Sequence, residues 1–264
     1  MIRMMTSLLL QLLCACLTPT GLPARTLDQI KAFNTLSVCL PANSLPFSSR
    51  RDDPPGFEVE LARELALQLG VGLQTDWVIS PIQAARAQCD LLLDAIADPE
   101  VQGESHLALS KPYYRSGVTL VIPQHSKVTS FDDLDGKSKV AVQTGSIVAM
   151  VLGHRHVGLS TFAFEDEMLQ ALQDNEVTAA AVSPLSAAYF NHLHPDAPFK
   201  ILPLDDNDPR LAWNVAVGMR RPDNTLRAAI NNALDRLNAD GTLARIYGRY
   251  GIKLAQPAKD MSPQ

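Results

Sequence analysis

The chain has 264 residues, 46% of them apolar and 19% charged, with a formal net charge of −5. That composition excludes a disordered segment, a collagen-like repeat and a small disulfide-stapled miniprotein. The length suits one large domain or two lobes of about 120 residues, and an acidic balance without a lysine/arginine block argues against a tracker of nucleic-acid phosphates.

Arg3 is the only charge before Arg25. Between them lie an apolar stretch, 8–17, and a segment broken by Pro19, Gly21 and Pro23. A positive start, about ten apolar residues and a small residue at the break form a secretory-signal pattern, with cleavage expected after Ala24. The stretch is too short and too interrupted to span a membrane. Cys16 offers an alternative lipoprotein site. Loss of the signal removes Cys14 and Cys16 and leaves Cys39 and Cys89. An even pair in an exported chain favours a disulfide over a metal or redox site, with two free buried thiols as the alternative.

From residue 36 strand-like and helix-like segments alternate. A short apolar run, 36–40, ends in a loop over 41–56 rich in Pro, Asn and Ser. Leu61, Ala62, Leu65 and Leu69 predict a helix over 57–69, stopped by Gly70. Residues 72–78 read as a strand, 82–88 as a short helix and 90–96 as a buried strand. After 110–114 comes a strand, 118–122, then a polar linker, 123–130. A second unit repeats the alternation. Its strands lie at 139–142, 160–164 and 178–182, and its helices at 146–152, 165–173 and 184–194, the last opened by Pro184. An acidic loop, 205–210, precedes an alternating strand, 212–219. Leu226, Ile230, Ala233, Leu234 and Leu237 predict a helix over 225–238. A short helix over 242–250 follows, and the polar tail after Ile252 reads as frayed. Strands alternating with helices argue for sheets covered by helices. If the final helices return to the first unit, two strands cross between lobes and form a hinge, with a ligand cleft between the halves. The expected division is a signal at 1–24, a first lobe from 25–120 plus 215–254, a second lobe at 121–214 and a flexible tail at 255–264.

Four motifs in order carry a resemblance. Gly56-Phe57-Glu58-Val59-Glu60-Leu61-Ala62, Leu109-Ser110-Lys111-Pro112-Tyr113-Tyr114, Asp240-Gly241-Thr242-Leu243 and the closing Ile246-Tyr247 with Tyr250-Gly251 resemble segments of periplasmic solute-binding proteins of family 3. The likeness implies an α/β fold of type II, the two-lobed Venus flytrap, each lobe a mixed sheet flanked by helices. It also implies a periplasmic location, a small-molecule solute and an ABC permease as partner. A narrower likeness runs through Val38-Cys39, the segment Asn43, Leu45, Pro46, Phe47 and Ser48, Cys89-Asp90, and Pro112-Tyr113-Tyr114-Arg115-Ser116. Pro184-Leu185 with Tyr189-Phe190, and 208–211 with 215–220, continue it. These resemble the MxaJ/XoxJ type, which accompanies quinoprotein alcohol dehydrogenases that carry pyrroloquinoline quinone. That likeness implies a Cys39–Cys89 disulfide and a non-catalytic accessory without a cofactor of its own, with a quinoprotein dehydrogenase or its cytochrome c as partner. Residues 141–145 and 78–87 depart from this narrower pattern.

In amino-acid receptors of the family an arginine about ten residues before the tyrosine pair clamps the ligand carboxylate, and an aspartate holds the amine. Residues 98–105, including Glu100, Val101 and Gln102, contain no arginine, and Ser183 stands at the aspartate's position. Bidentate arginine–carboxylate pairs are hard to replace, so a zwitterionic amino acid is a poor expected ligand. The expected cleft comprises Asn43, Leu45, Phe47, Asp94, Asp98, Tyr113 and Tyr114 from one lobe and Gly145, Ser146 and Ser183 from the other, with Trp213 beside the second crossing. Gly145-Ser146 opens a helix whose free N–H groups favour an anion; a plain cap is the bland alternative. Glu165-Asp166-Glu167 reads as a solvated complement to a helix dipole, and the pairs His154/His156 and His192/His194 as helix-end histidines rather than chelators. An enzyme of this fold, such as a cyclohexadienyl dehydratase, would need an acid/base group from Asp94, Asp98 or Glu100. No hydrolase, nucleotide-binding or metalloprotease motif occurs, and the expectation is a binding protein, not an enzyme.

Overall fold

A computed structural model describes residues 25–79, 81–98, 107–205, 208, 210–220 and 224–258. The expected signal segment, with Cys16, lies outside these residues. The chain runs from α1 (Leu27–Ala32) through β1 (Thr35–Pro41), a ribbon of β2 (Asn43–Ser44) and β3 (Ser48–Ser49), α2 (Phe57–Leu69), β4 (Gly72–Val78), α3 (Pro81–Ala87) and β5 (Leu91–Ile96). Then come β6 (Leu107–Leu109), β7 (Tyr114–Gly117) and β8 (Thr119–Ile122). The second lobe continues with β9 (Val140–Gln143), α4 (Ile147–His154), β10 (Leu159–Phe162), α5 (Glu165–Gln173), β11 (Ala179–Val182), α6 (Pro184–Leu193) and β12 (Lys200–Ile201). β13 (Ala212–Arg220), α7 (Asn224–Ala239) and α8 (Thr242–Gly248) complete the chain.

Two mixed sheets result, as the two-lobed α/β reading requires. The first has the order β4-β1-β5-β13-β6, with β7 also on β13. β1 runs parallel to β4 and β5, whereas β13 runs antiparallel to β5, β6 and β7. β1 lies inside the sheet between β4 and β5, and its five middle residues are buried. That explains its unbroken apolar run, since both faces are covered. On one face pack α2 and α7, whose stripes Leu61, Leu65 and Leu69, and Leu226, Ile230 and Leu234, share one core. Gly70 ends α2 in the left-handed conformation, as a glycine cap does.

The second sheet has the order β10-β9-β11-β8-β12. Strand alternation divides its core in two. Leu120, Ile122, Val140 and Val142 face α4, while Val121, Ala141, Ala180 and Val182 face α5 and α6.

The sheets exchange strands between Gly117 and Thr119 and again between Ile201 and Ala212. Val118 N–H donates to Leu211 O at 2.8 Å, tying the two crossings together. A Cβ on Gly117 would lie 2.2 Å from Leu211 O, so the crossings can approach this closely only at a glycine. Away from the crossings, α6 of the second lobe leans on the first. Leu185 enters the first core, and the Tyr189 ring lies 5.8 Å from that of Tyr250.

Three features differ from expectation. β6 and β7 are short partners of β13 that the proline-containing 110–114 segment concealed. β8 pairs with the second sheet, while Trp213 and Asn214 pair with β7 in the first. The tail after Ile252 is not frayed through residue 258. Ala255 bridges Arg115, and Ala258 exchanges two hydrogen bonds with the Asn214 amide at 2.9 and 3.0 Å. A buried Asn amide offers both a donor and an acceptor, and the tail backbone satisfies both.

Candidate functional site

Between the lobes lies a cleft of about 1370 Å³ lined by both. Asn43, Leu45 and Phe47 reach it from the loop after β1, Asp94 and Asp98 from the end of β5, and Tyr114 and Trp213 from the β7–β13 pair. Ser146 and Ser183 line the opposite wall. Tyr113 and Gly145 do not line it. Tyr114 is buried in the first core and reaches the cleft from there, while Tyr113 donates its hydroxyl to Leu93 O at 2.6 Å and packs against the same core, edge-on to Tyr114. Gly145 makes the turn before α4 with φ +74° and has no side chain to offer. Ser146 is the cap of α4, its hydroxyl accepting from Ala149 N–H at 3.3 Å. Of residues 98–105, only Asp98 lies within the described residues.

Several cleft residues escaped the sequence reading, two buried or half-buried carboxylates among them. The first is Glu58, on the opening turn of α2. It is only 2% exposed yet lines the cleft. Burial, with the nearby Asp94 carboxylate, pushes its carboxyl well above the usual range. Asp94 projects from β5 on the face opposite Leu93 and Ala95 and stays open to the cleft. The surrounding walls raise its carboxyl too, partly offset by a backbone hydrogen bond. A signal for Glu58 did exist: it lies at i−3, i−7 and i−11 from Leu61, Leu65 and Leu69, a charged residue in register with an apolar stripe.

The second is Glu165. It is not the solvated face residue its acidic triplet suggested. It lines the cleft, accepting from Ser183 N–H at 2.7 Å and from the Ser186 hydroxyl at 2.5 Å. The carboxylate that opens α5 thus takes the N–H of Ser183, the cap residue of α6, one of the donors a helix opening leaves without an intrahelical partner. Burial raises its carboxyl, with the two hydrogen bonds opposing the shift. Ser183 supplies no charge at this position, but Glu165 brings a carboxylate to the same backbone from another helix.

Among the described residues five carboxylates line the cleft: Glu58, Asp94, Asp98, Glu165 and Asp166. They face two guanidiniums, Arg51 and Arg210. Arg210 is held by Asp208 through hydrogen bonds of 2.9 and 2.7 Å, a fork-on-carboxylate pair. That pair keeps Asp208 below the usual carboxylate range. Behind the first lobe's wall, Cys39 and Cys89 form a disulfide with Cα atoms 5.5 Å apart. Asp90 beside it accepts from Ser37 N–H at 2.8 Å and pairs with Arg25.

Over 242 residues the chain is 28% identical to the L-cystine-binding protein TcyJ of Escherichia coli (strain K12), covering 85% of each chain. It is 26% identical to membrane-bound lytic murein transglycosylase F of Desulfosudis oleivorans, spanning 86% of this chain but 50% of that larger protein. Among solved structures, an ancestral cationic amino acid solute-binding protein, AncCDT-1, superposes with a TM-score of 0.73 at 25% identity, over 86% of this chain and 99% of the other. The model of the bacterial extracellular solute-binding proteins, family 3, matches residues 36–253, and the chain belongs to that family.

Proposed function

We propose that the protein is the solute receptor of an ABC importer, binding a small organic solute between its lobes without transforming it. The observation that carries the reading is a cleft between the lobes to which both contribute charged and aromatic side chains, the concave setting in which small molecules bind. The L-cystine-binding and cationic amino acid-binding names of its relatives support it. An exported, periplasmic chain fits the family's extracellular description. A thermal-shift screen of small solutes tests the proposal. At 100 times Kd a specific ligand adds about 2.7 kcal/mol of stability, or roughly 5–10 °C for a chain of this size. A screen with no stabilising solute would overturn it.

A second reading is the accessory of a quinoprotein alcohol dehydrogenase. The Cys39–Cys89 bond, which the MxaJ/XoxJ likeness implies, favours it. In that case the protein co-purifies with the dehydrogenase or changes its turnover, and small solutes leave its melting temperature unmoved.

A further inference from the structure

Glu58 is chemistry that the folded protein leaves unspent. Among the described residues no donor reaches its carboxylate, although it is 2% exposed and opens onto the cleft. The groups that bear on it are Asp94 of β5, Tyr113 and Tyr114 at the start of β7, and Tyr247 of α8, none of them cationic. Its position on the first turn of α2 gives it only the partial positive charge of the helix end. A carboxylate buried without a partner is costly and persists where something outside the chain completes it.

The rest of the cleft describes what would complete it. Phe47 and Trp213 present aromatic surface to the same space, and aromatic faces attract ammonium groups. On the opposite wall Glu165 and Asp166 supply a second anionic patch. Ile147, Phe164 and Leu193 line the same wall although each is at least half exposed, leaving apolar surface for an alkyl chain to cover. Among the described residues an anion is offered less: the opening of α4 at Ser146 and the two guanidiniums. Arg210 spends its Nε and one Nη on Asp208, and Arg51 is exposed.

We propose that the cleft takes a short aliphatic dication, a diamine or an aminoalkyl guanidine, in preference to the amino acid with the same side chain. One cationic nitrogen sits against Glu58 and Asp94, and the other meets the Glu165 wall. The inference rests on the reading of the cleft as a solute site and narrows it to a ligand without a carboxylate. Because Glu58 holds its proton more tightly than an ordinary glutamate, seating a cation beside it expels that proton. Affinity therefore strengthens as pH rises.

The test is titration calorimetry on the oxidised mature protein with two matched pairs, cadaverine against L-lysine and agmatine against L-arginine. The expected result is that at least one decarboxylated member binds about tenfold or more tightly than its amino acid. Its affinity should fall as pH drops from about 8 to about 5.5 and fall about tenfold or more in Glu58→Gln, the range for a lost charged contact. Should that variant not fold, Asp94→Asn, whose side chain is open to the cleft, carries the same test. An amino acid that binds as tightly as its amine partner overturns the proposal. So does silence from all four probes. If another solute still raises the melting temperature, the receptor reading survives without this inference; if none does, both fall.

Discussion

The two walls of the cleft handle a carboxylate in opposite ways. In the second lobe Glu165 is satisfied by the chain itself, through the Ser183 N–H and the Ser186 hydroxyl, and it ties α5 to α6. In the first lobe Glu58 is more deeply buried and has no such partner among the described residues. One carboxylate holds the scaffold together, and the other is held by it. The first lobe can sustain that burden because its wall is braced. A disulfide links β1 to the segment before β5, α7 and α8 cover α2, and the Tyr250 hydroxyl accepts from Gly56 N–H and donates to Glu60, both at the head of α2. The second lobe has no disulfide among its described residues and keeps its carboxylate satisfied.

Four perturbations break or sharpen this contrast, and they fall in order of size. Replacing Cys39 and Cys89 by serine removes the brace from the first wall. For a loop of about 50 residues the chain-entropy model puts the loss near 4 kcal/mol, to be read from denaturant midpoints of the variant and the oxidised protein. Glu165→Ala removes the acceptor of both hydrogen bonds that join α5 to α6 and costs about 1–2 kcal/mol; a variant as stable as the native protein would mean that Glu165 is no structural cap.

Glu58→Gln should do the reverse and stabilise the solute-free protein by about 1 kcal/mol, or 2–4 °C, above neutral pH. The sign follows from linkage. The folded carboxyl binds its proton more tightly than the unfolded one, so native stability declines as pH rises from the unfolded value, about 4.3, through the raised folded value. The variant lacks that decline, and its advantage vanishes in acid. Melting curves between about pH 4 and 8 show whether the two proteins converge there. Smallest of all, truncation after Leu254 removes the Ala255 bridge and the Ala258–Asn214 bonds. It should cost about 1 kcal/mol or less, since net hydrogen bonds are modest, and should loosen amide protection in β7 and β13.

Much of the architecture was legible in the chain because it is written in local periodicity. The stripes of α2 and α7, the apolar runs of β1 and β5 and the proline opening α6 all specify elements without reference to distant residues. The family motifs then supplied their arrangement. The edges were less legible. β6 and β7 are too short to show alternation, and Pro112 disguises them as linker. The 255–258 tail is polar in sequence but is pinned by an amide more than forty residues away. The site divided along the same line. Asp94 of β5 and Trp213 of β13 could be set beside a cleft once the family likeness supplied the two-lobed arrangement. Glu58 and Glu165 could not be assigned from their neighbours in sequence. What distinguishes them is whether another helix end offers a donor, and only tertiary packing decides that. Tyr113 and Tyr114 show the finest grain of the same limit, for both rings pack in the first core and only Tyr114 also touches the cleft.

The most direct measurement is the proton count on ligand binding. Calorimetry of cadaverine or agmatine in buffers of different ionisation enthalpy, repeated across about pH 5.5–8, reports protons released per ligand bound. A cation completing Glu58 should release a fraction of a proton that is largest at the acidic end and disappears in Glu58→Gln. Binding with no proton exchange, or with the same exchange in the variant, would contradict the assignment of Glu58 as the group that the solute completes.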